Sequence, residues 1–342
     1  MLRAAAVVHL KTLHTHQPLT SMSEQKLLDL PGSRKLAYAE AGDAKNSTLV
    51  ILFHGAFGIG DVRQKSSVLL DKGVHFVAPT LPGWGKSSNP RDSTSYVASL
   101  AADITALIDH LHPNTPNLRL YIAGGSYGTV HAQMLYGAPF DVFPYGRNLV
   151  ALLVIGPFSP PHCHKDYAKD MSWSNYISVG PPSRYIPFNL VSRLGKLFIS
   201  SKVSKPENAT AFIRDMLFRK SNESERELFE QWRESRGLND GQLEAEMGEN
   251  IAASIAETWD GFMAIGHVIH SGWGGFCPCD LDDEHSQRPV LICWGRDDDM
   301  APPSMAKYLV ANYKNAQGME YGGGHLAPLY HMDEIWEKFL EL

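Results

Sequence analysis

Leu118-Arg119-Leu120-Tyr121-Ile122-Ala123-Gly124-Gly125-Ser126-Tyr127-Gly128-Thr129-Val130 is the stretch whose reading decides the fold. Residues 118–123 form a short apolar run of strand length, and residues 130–136 carry a helical pattern, so the glycines between them mark a strand-to-helix turn. A serine on so tight a turn needs small neighbours, because its strained backbone brings positions 124 and 128 against adjacent elements. Gly124, Gly125 and Gly128 meet that demand. The helix that begins here also directs its N-terminal dipole at negative charge developing beside Ser126. An ordinary glycine-rich turn has the same spelling; the strand before it and the helix after it favour a nucleophile.

The same alternation extends in both directions. Residues 36–41, 49–53, 74–79, 150–155 and 290–294 read as further strands, and 49–53 has the continuous apolar character of a strand buried on both faces of a parallel sheet. Between them, Tyr96–Leu111 places Val97, Leu100, Ile104, Leu107, Ile108 and Leu111 on one helical face. Strands alternating with helices imply right-handed crossovers and a mostly parallel sheet. Residues 157–270 break the rhythm: Pro157, Pro160, Pro161, Pro181, Pro182 and Pro187 come first, then charge-rich helical stretches at 209–218 and 223–234. This is the pattern of a helical insertion in an α/β core, and two strand-helix units follow it, with helices at 305–313 and 334–340. The division expected is a tail at 1–23, core at 24–156, a helical cap at 157–275 and core again at 276–342.

Composition narrows the function. With 342 residues, 44% hydrophobic and 20% charged, the chain can bury a large core, which excludes disordered and fibrous classes. Its net charge is −6 and its Lys and Arg are scattered, so nucleic acid is not an expected partner. No apolar run approaches the roughly 18 residues of a spanning helix, so no integral membrane association is expected. Four cysteines, Cys163, Cys277, Cys279 and Cys293, do not make a disulfide framework and fit a reducing, cytoplasmic setting. Residues 1–23 hold Arg3, Lys11 and three histidines without an acid, a composition shared with mitochondrial transit peptides; the alternative is that Met22 is the working start and a disordered tail precedes it.

Three more motifs carry chemistry. His54-Gly55-Ala56-Phe57-Gly58 follows the most apolar strand, where a backbone N–H is offered to a substrate carbonyl. Ala56 is the expected donor, with Phe57 the runner-up, and the N–H of Tyr127 completes an oxyanion hole; His54 itself reads as a turn histidine bonded to backbone. Trp294-Gly295-Arg296-Asp297-Asp298-Asp299 puts a carboxylate at the end of a buried strand, where a catalytic histidine needs one, and any of the three aspartates also suits a solvated turn. Gly322-Gly323-Gly324-His325 frees a late loop to bring an imidazole over the serine, with His331 the nearby competitor. The order Ser, Asp, His along the chain is the one expected for this architecture.

With these motifs the chain resembles the α/β-hydrolase superfamily from about residue 26 to the C-terminus, with a helical cap inserted after the sixth strand. The resemblance implies the α/β-hydrolase fold, a mostly parallel central sheet flanked by helices. The family's glycine, two residues, then aspartate matches Gly295 and Asp298, which selects Asp298 as the acid and Asp299 as its reserve. Ser126 matches the nucleophile elbow, His54-Gly55-Ala56 the oxyanion turn and His325 the last-strand histidine. Two departures matter. Where many relatives carry an Asp-x-x-Gly-x-Gly-x-Ser turn, this chain has Thr80-Leu81-Pro82-Gly83-Trp84-Gly85-Lys86-Ser87; the segment imitates a phosphate loop, yet a Walker A motif requires glycine where Thr80 stands. The elbow, Gly295-Arg296 and Asp298 also look like proline iminopeptidases, but those usually have a Gly-Gly-Pro oxyanion turn where Ala56-Phe57 stands here. An aspartate nucleophile, as in relatives that open epoxides or dehalogenate, is excluded by Ser126.

The expected activity is a capped serine hydrolase cleaving an ester, lactone or thioester of a small apolar substrate through Ser126, His325 and Asp298. Alternatives are peptide or carbon-carbon bond hydrolysis, and a binding protein that keeps the triad without turnover. No cofactor is required and no metal is expected, because neither His162-Cys163-His164 nor Cys277-Pro278-Cys279 has the spacing of a standard zinc site. The acidic run Asp280, Asp282, Asp283 and Glu284 reads as a solvated loop. Trp173, Tyr176, Tyr185, Phe188, Trp232 and Trp259 are expected to serve mostly as cap core and otherwise as wall of an acyl pocket.

Overall fold

Apolar runs with no polar face must lie in the middle of a sheet, and here they do. The computed structural model describes residues 22–91, 95–113, 115–218 and 221–342, without the side chain of Phe188, so the expected tail lies almost wholly outside the described residues. Eight strands, β1 (Lys26–Leu30), β2 (Arg34–Gly42), β3 (Thr48–Phe53), β4 (His75–Pro79), β5 (Arg119–Gly125), β6 (Leu149–Ile155), β7 (Val290–Gly295) and β8 (Ala316–Tyr321), form one sheet in the order β1-β2-β4-β3-β5-β6-β7-β8. β2 pairs antiparallel with β1 and β4, and all the other pairings are parallel.

Alternation along the strands sorts the apolar residues onto two faces. Leu49, Ile51 and Phe53 of β3 join Leu120 and Ile122 of β5 and Ile292 of β7 in one core. Val50, Tyr121, Ala123, Leu153 and Cys293 belong to the other. Helices α2 (Tyr96–Leu111), α3 (Gly128–Tyr136) and α12 (Pro303–Asn312) bury residues in the first core; α1 (Ser67–Asp71) and α13 (Met332–Leu340) close the second. The bounds expected for α2 are those observed. Its N-terminus is capped by the Ser95 side chain, which accepts from the N–H of Ala98, and the expected face is buried except for half-buried Leu111.

Between β6 and β7 every described regular element is a helix: α4 (Trp173–Ser178), α5 (Pro181–Tyr185), α6 (Leu190–Val203), α7 (Pro206–Ile213), α8 (Glu223–Ser235), α9 (Gln242–Ser254), α10 (Asp260–Ile269) and α11 (Asp283–Ser286), with short 3₁₀ and π turns. The helix expected over 209–218 instead ends at Ile213 and runs into a π turn, Arg214–Phe218. Arg63 ties α9 to the loop after β3, bonding Asp61 at 2.7 Å, Glu249 at 2.7 Å and the Glu246 carbonyl at 3.0 Å.

The cysteines depart from their reading as unpaired thiols. Cys163 and Cys277, 114 residues apart, are joined as a disulfide with Cα atoms 6.1 Å apart, linking the beginning of the inserted helices to their end. Sequence spacing could not show this, because only the fold brings the two ends of an insertion side by side.

Candidate active site

Ser126 sits where β5 turns into α3 and has a left-handed backbone, φ 50°. Such a conformation is strained for a residue with a Cβ and persists only where the surroundings over-determine it. Here the Ser126 N–H donates to the Ile155 carbonyl at 2.8 Å, and the Thr129 hydroxyl donates to the Ser126 carbonyl at 2.6 Å. A Cβ at Gly124 would meet the Gly128 carbonyl, and one at Gly128 would meet the carbonyls of Phe53 and His54. Both glycines therefore answer the demand read from the sequence. Gly125 does not: nothing lies within 4 Å of its Cβ position. Beneath the turn, the Tyr96 hydroxyl lies 2.7 Å from His131 Nε2, and His131 Nδ1 lies 3.2 Å from the Tyr127 carbonyl. Burial pushes the His131 imidazole down to about 3, so it is neutral.

Burial distinguishes the three aspartates. Asp297 and Asp299 are exposed, whereas Asp298 is buried, its Oδ1 accepting from the N–H groups of Met300 at 2.8 Å and Ala301 at 2.9 Å. Its Oδ2 lies 2.7 Å from His325 Nδ1. A carboxylate only accepts, so Nδ1 carries the proton and the Nε2 lone pair is left for other partners. Burial lowers the His325 pKa, but the Asp298 charge, its hydrogen bond and the Asp299 charge more than offset this, and the net shift is upward from 6.5.

Two residues that the sequence did not single out hold this pair. Glu225 of α8, itself buried, accepts the Gly324 N–H at 3.1 Å, anchoring the glycine loop that carries His325. The run 223–234 reads as a charge-rich helical stretch, and only Asn222, capping the N–H of Glu225, marks its start. Gly156, φ 56°, lies at the end of β6, where a Cβ would stand 3.0 Å from His325 Cε1 and 3.7 Å from Asp298 Oδ2. A glycine directly after a buried strand was the available signal.

On the other side, a Cβ at Gly55 would lie 3.4 Å from the Ser126 Cβ and 3.9 Å from its Oγ, so the turn after β3 abuts the serine. His54 Nδ1 donates to the Gly55 carbonyl at 2.7 Å and Nε2 accepts the Leu81 N–H at 2.9 Å; burial pushes it down to about 4. With both nitrogens committed, His54 is the structural histidine expected. Phe57, also left-handed at φ 57°, packs against Trp84 and Phe262 at 5.6 and 5.1 Å. Among the described residues no acceptor is paired with the N–H of Ala56 or Tyr127, and no hydrogen bond joins Ser126 Oγ to His325. The turn that imitates a phosphate loop has its amides occupied: those of Gly83, Trp84, Gly85 and Ser87 donate to the carbonyls of Ser88, Leu81, Ser254 and Trp84.

The aromatic residues of the inserted helices meet the expectation only in part. Trp232 is core, packed with Leu243 and Tyr330, and Trp259 packs on Phe262. Tyr176 lies beside Trp173, but Trp173 and Tyr185 are largely exposed and are not core; Phe188 lies outside the described side chains. A cleft of about 480 Å³ on these helices, lined by Tyr167, Met171, Trp173 and Tyr176, does not include Ser126, Asp298 or His325. The donors of His162, Cys163 and Cys277 lie within 4.8 Å of one another, as do those of Cys277, Cys279 and Asp280, but Cys163 and Cys277 are spent on the disulfide. His164 turns away to stack on Tyr308 at 4.1 Å.

Solved structures share this architecture at low identity. An esterase from Exiguobacterium antarcticum is 15% identical with a TM-score of 0.59, over 93% of this chain and 98% of that one. A hydrolase from Pseudomonas aeruginosa is 14% identical with a TM-score of 0.57, over 93% and 98%. The thioesterase domain of the curacin biosynthetic pathway is 16% identical with a TM-score of 0.55, over 94% and 99%. At such identity these likenesses establish the fold alone, but a family model described as the alpha/beta hydrolase family matches residues 50–338, and the chain belongs to that family.

Proposed function

We propose that the protein is a serine hydrolase that cleaves a carboxylic ester, lactone or thioester of a small apolar substrate through an acyl-enzyme. The observation that carries this reading is the left-handed Ser126 at the carboxyl end of the interior strand β5, with Asp298, after β7, holding His325 by its Nδ1 at 2.7 Å. His325 Nε2 takes the Ser126 proton as Oγ attacks the carbonyl carbon, and Asp298 stabilises the imidazolium that forms. The N–H groups of Ala56 and Tyr127 receive the oxyanion; the Ser126 N–H is unsuited because Ile155 already occupies it. The imidazolium then protonates the leaving group, and water cleaves the acyl-enzyme by the same route. Catalytic hydrogen bonds commonly tighten only when substrate is bound, so closure of the Ser126–His325 pair belongs to the Michaelis complex.

Intact mass after incubation with a fluorophosphonate tests this. A single adduct on the wild type and none on Ser126→Ala is expected, with loss of more than about a hundredfold in kcat for Ser126→Ala and His325→Ala on any ester that turns over. Near-normal turnover in both variants would refute the assignment. Ligand-induced thermal stabilisation without an adduct or product would favour a binding protein instead.

A further inference from the structure

Helix α6 is apolar on two sides, and only one of them is covered. Its inner side turns Gly195 to Phe262, within 3.3 Å of where a Cβ would stand, and Val203 into the core. On the opposite side Leu190, Leu194, Leu197 and Phe198, spaced i, i+4, i+7 and i+8, form one outward stripe. Leu197 and Phe198 are each 74% exposed, and Trp173 of α4 and Tyr185 of α5 are 77% and 73% exposed. Neither α4 nor α5 contributes a buried residue, and Val203 is the one buried residue of α6. Scattered exposed apolar residues need no explanation, but a continuous apolar stripe on a helix whose neighbours also expose aromatics marks a surface that meets something.

The charges around this set say what. Residues 171–206 contain no Asp or Glu and five cations, Arg184, Arg193, Lys196, Lys202 and Lys205, in a chain whose net charge is −6. Among the described residues none of the five is in a salt bridge; Arg184 lies over the Tyr185 ring and Lys196 over Trp259. On the helical wheel Arg193 and Lys202 border the apolar stripe of α6 on opposite sides. An apolar stripe of Leu and Phe flanked by Lys and Arg, with Trp and Tyr beside it, is the composition of a helix lying in a lipid-water interface. A protein partner would require acidic groups around an apolar groove of matching shape; a lipid surface requires only a flat apolar face with cations at its rim.

We propose that α4, α5 and α6 form a docking surface for an anionic lipid bilayer, on which the protein lies peripherally with Leu197, Phe198 and Trp173 entering the acyl boundary and Arg193 and Lys202, at the borders of the stripe, meeting the headgroups. Among the described residues no helix is long and apolar enough to cross a membrane, and none is needed for this mode. Asn175 of α4 donates to the Asp299 carbonyl at 3.0 Å, one residue from Asp298, so the docked face adjoins the loop that holds His325.

The test is flotation of the full chain with vesicles of phosphatidylcholine alone and of phosphatidylcholine mixed with phosphatidylserine. Flotation is read by protein content and needs no turnover, so it stands or falls apart from the catalytic reading. The wild type is expected to float with the anionic vesicles and to be released as ionic strength rises and the Debye length falls from about 10 Å to about 3 Å. Leu197→Ser with Phe198→Ser is expected to stay in the aqueous fraction, and Lys202→Glu to bind about fivefold or more weakly, since each interfacial cation is worth roughly that factor. These side chains are exposed, and unchanged circular dichroism and chromatographic volume check that the fold is retained. Wild type that remains in the aqueous fraction overturns the proposal, as does equal binding to neutral and anionic vesicles or wild-type flotation by the double variant. So does a stable dimer that the double variant splits and that does not float, because the face would then be covered by a second copy.

Discussion

Replacing Gly156 with alanine isolates the geometry of the His325–Asp298 pair. The added methyl would lie 3.0 Å from His325 Cε1, 3.3 Å from Nδ1 and 3.7 Å from Asp298 Oδ2. An ordinary contact needs about 3.4 Å or more, so the imidazole must retreat by a few tenths of an ångström. A misplacement of 1 Å costs about a hundredfold in rate, and a retreat of about 0.4 Å therefore scales to a loss of roughly five- to tenfold. Gly156 also has φ 56°, where a side chain costs about 1–2 kcal/mol, so the variant is expected to lose about that much stability as well. Gly125→Ala is the matched control: it adjoins Ser126 directly, yet its methyl meets nothing within 4 Å and its φ is not left-handed. Its stability is expected to stay within about 0.5 kcal/mol of wild type. The assay is the time course of fluorophosphonate labelling by intact mass, beside denaturant unfolding. A Gly156→Ala protein that is destabilised as expected but labels at the wild-type rate would refute the contact argument. So would a Gly125→Ala protein that labels more slowly than Gly156→Ala.

Further outcomes follow from the site and its supports. The wild-type rate is expected to fall as pH drops through a midpoint above 6.5, since His325 must be neutral to act as the proposed base and its pKa is raised; in Asp298→Asn only the Asp299 charge is left to oppose burial, so the midpoint of the residual rate moves down. The same upward shift makes His325 stabilise the fold fully below its unfolded value and lose that contribution as pH rises through its folded value. Glu225→Ala strips the Gly324 N–H of its acceptor and is expected to cost about 1–3 kcal/mol and slow labelling, while Glu225→Gln keeps the oxygen and restores the rate. Thiol counting in denaturant without reductant should find two reactive cysteines, Cys279 and Cys293, and Cys163→Ser is expected to lose up to about 4–5 kcal/mol because a loop of 114 residues is released. Four reactive thiols in the unreduced wild type would contradict the pairing.

The parts of this fold that were legible in sequence are those where a local pattern and a tertiary demand coincide. β3 and β5 are apolar runs because both faces of a parallel sheet are covered, and α2 shows its stripe because a single side of it meets the sheet. β8, Ala316–Tyr321, was expected only as one strand of a strand-helix pair and was not located, since at the sheet edge only Tyr321 of its six residues is buried. The site divides in the same way. Ser126 and Asp298 stand next to glycines and strands that announce them. Glu225 and the Cys163–Cys277 pair act across 99 and 114 residues of chain and have no local signature, while Gly156 offers only its place directly after a buried strand. Trp173 and Tyr185 depart from the expected cap core for the opposite reason: amphipathic spacing shows which residues share a face, not whether that face has a neighbour, and neither α4 nor α5 buries a residue.

The strongest support for a base at His325 comes from the chain's other histidines. Buried imidazoles are ordinarily pushed toward neutrality, because a low dielectric penalises the cation. His54, His75, His112, His131, His164, His270 and His331 all shift downward, with burial the largest cause in each. His325 is largely enclosed too, its side chain 12% exposed, and alone among the described histidines shifts upward. A histidine of that kind stabilises its own charged form in a place where charge is otherwise expensive. Such a device is useless to a core that needs only packing, and it is what a group must have if it is to receive a proton from Ser126 and hold it while the acyl bond forms. His75 has a glutamate near it as well, Glu40 at 3.3 Å, yet its net shift is downward. The difference lies in distance and enclosure: Asp298 stands 2.7 Å from the ring and its side chain is wholly buried, so water screens that charge least.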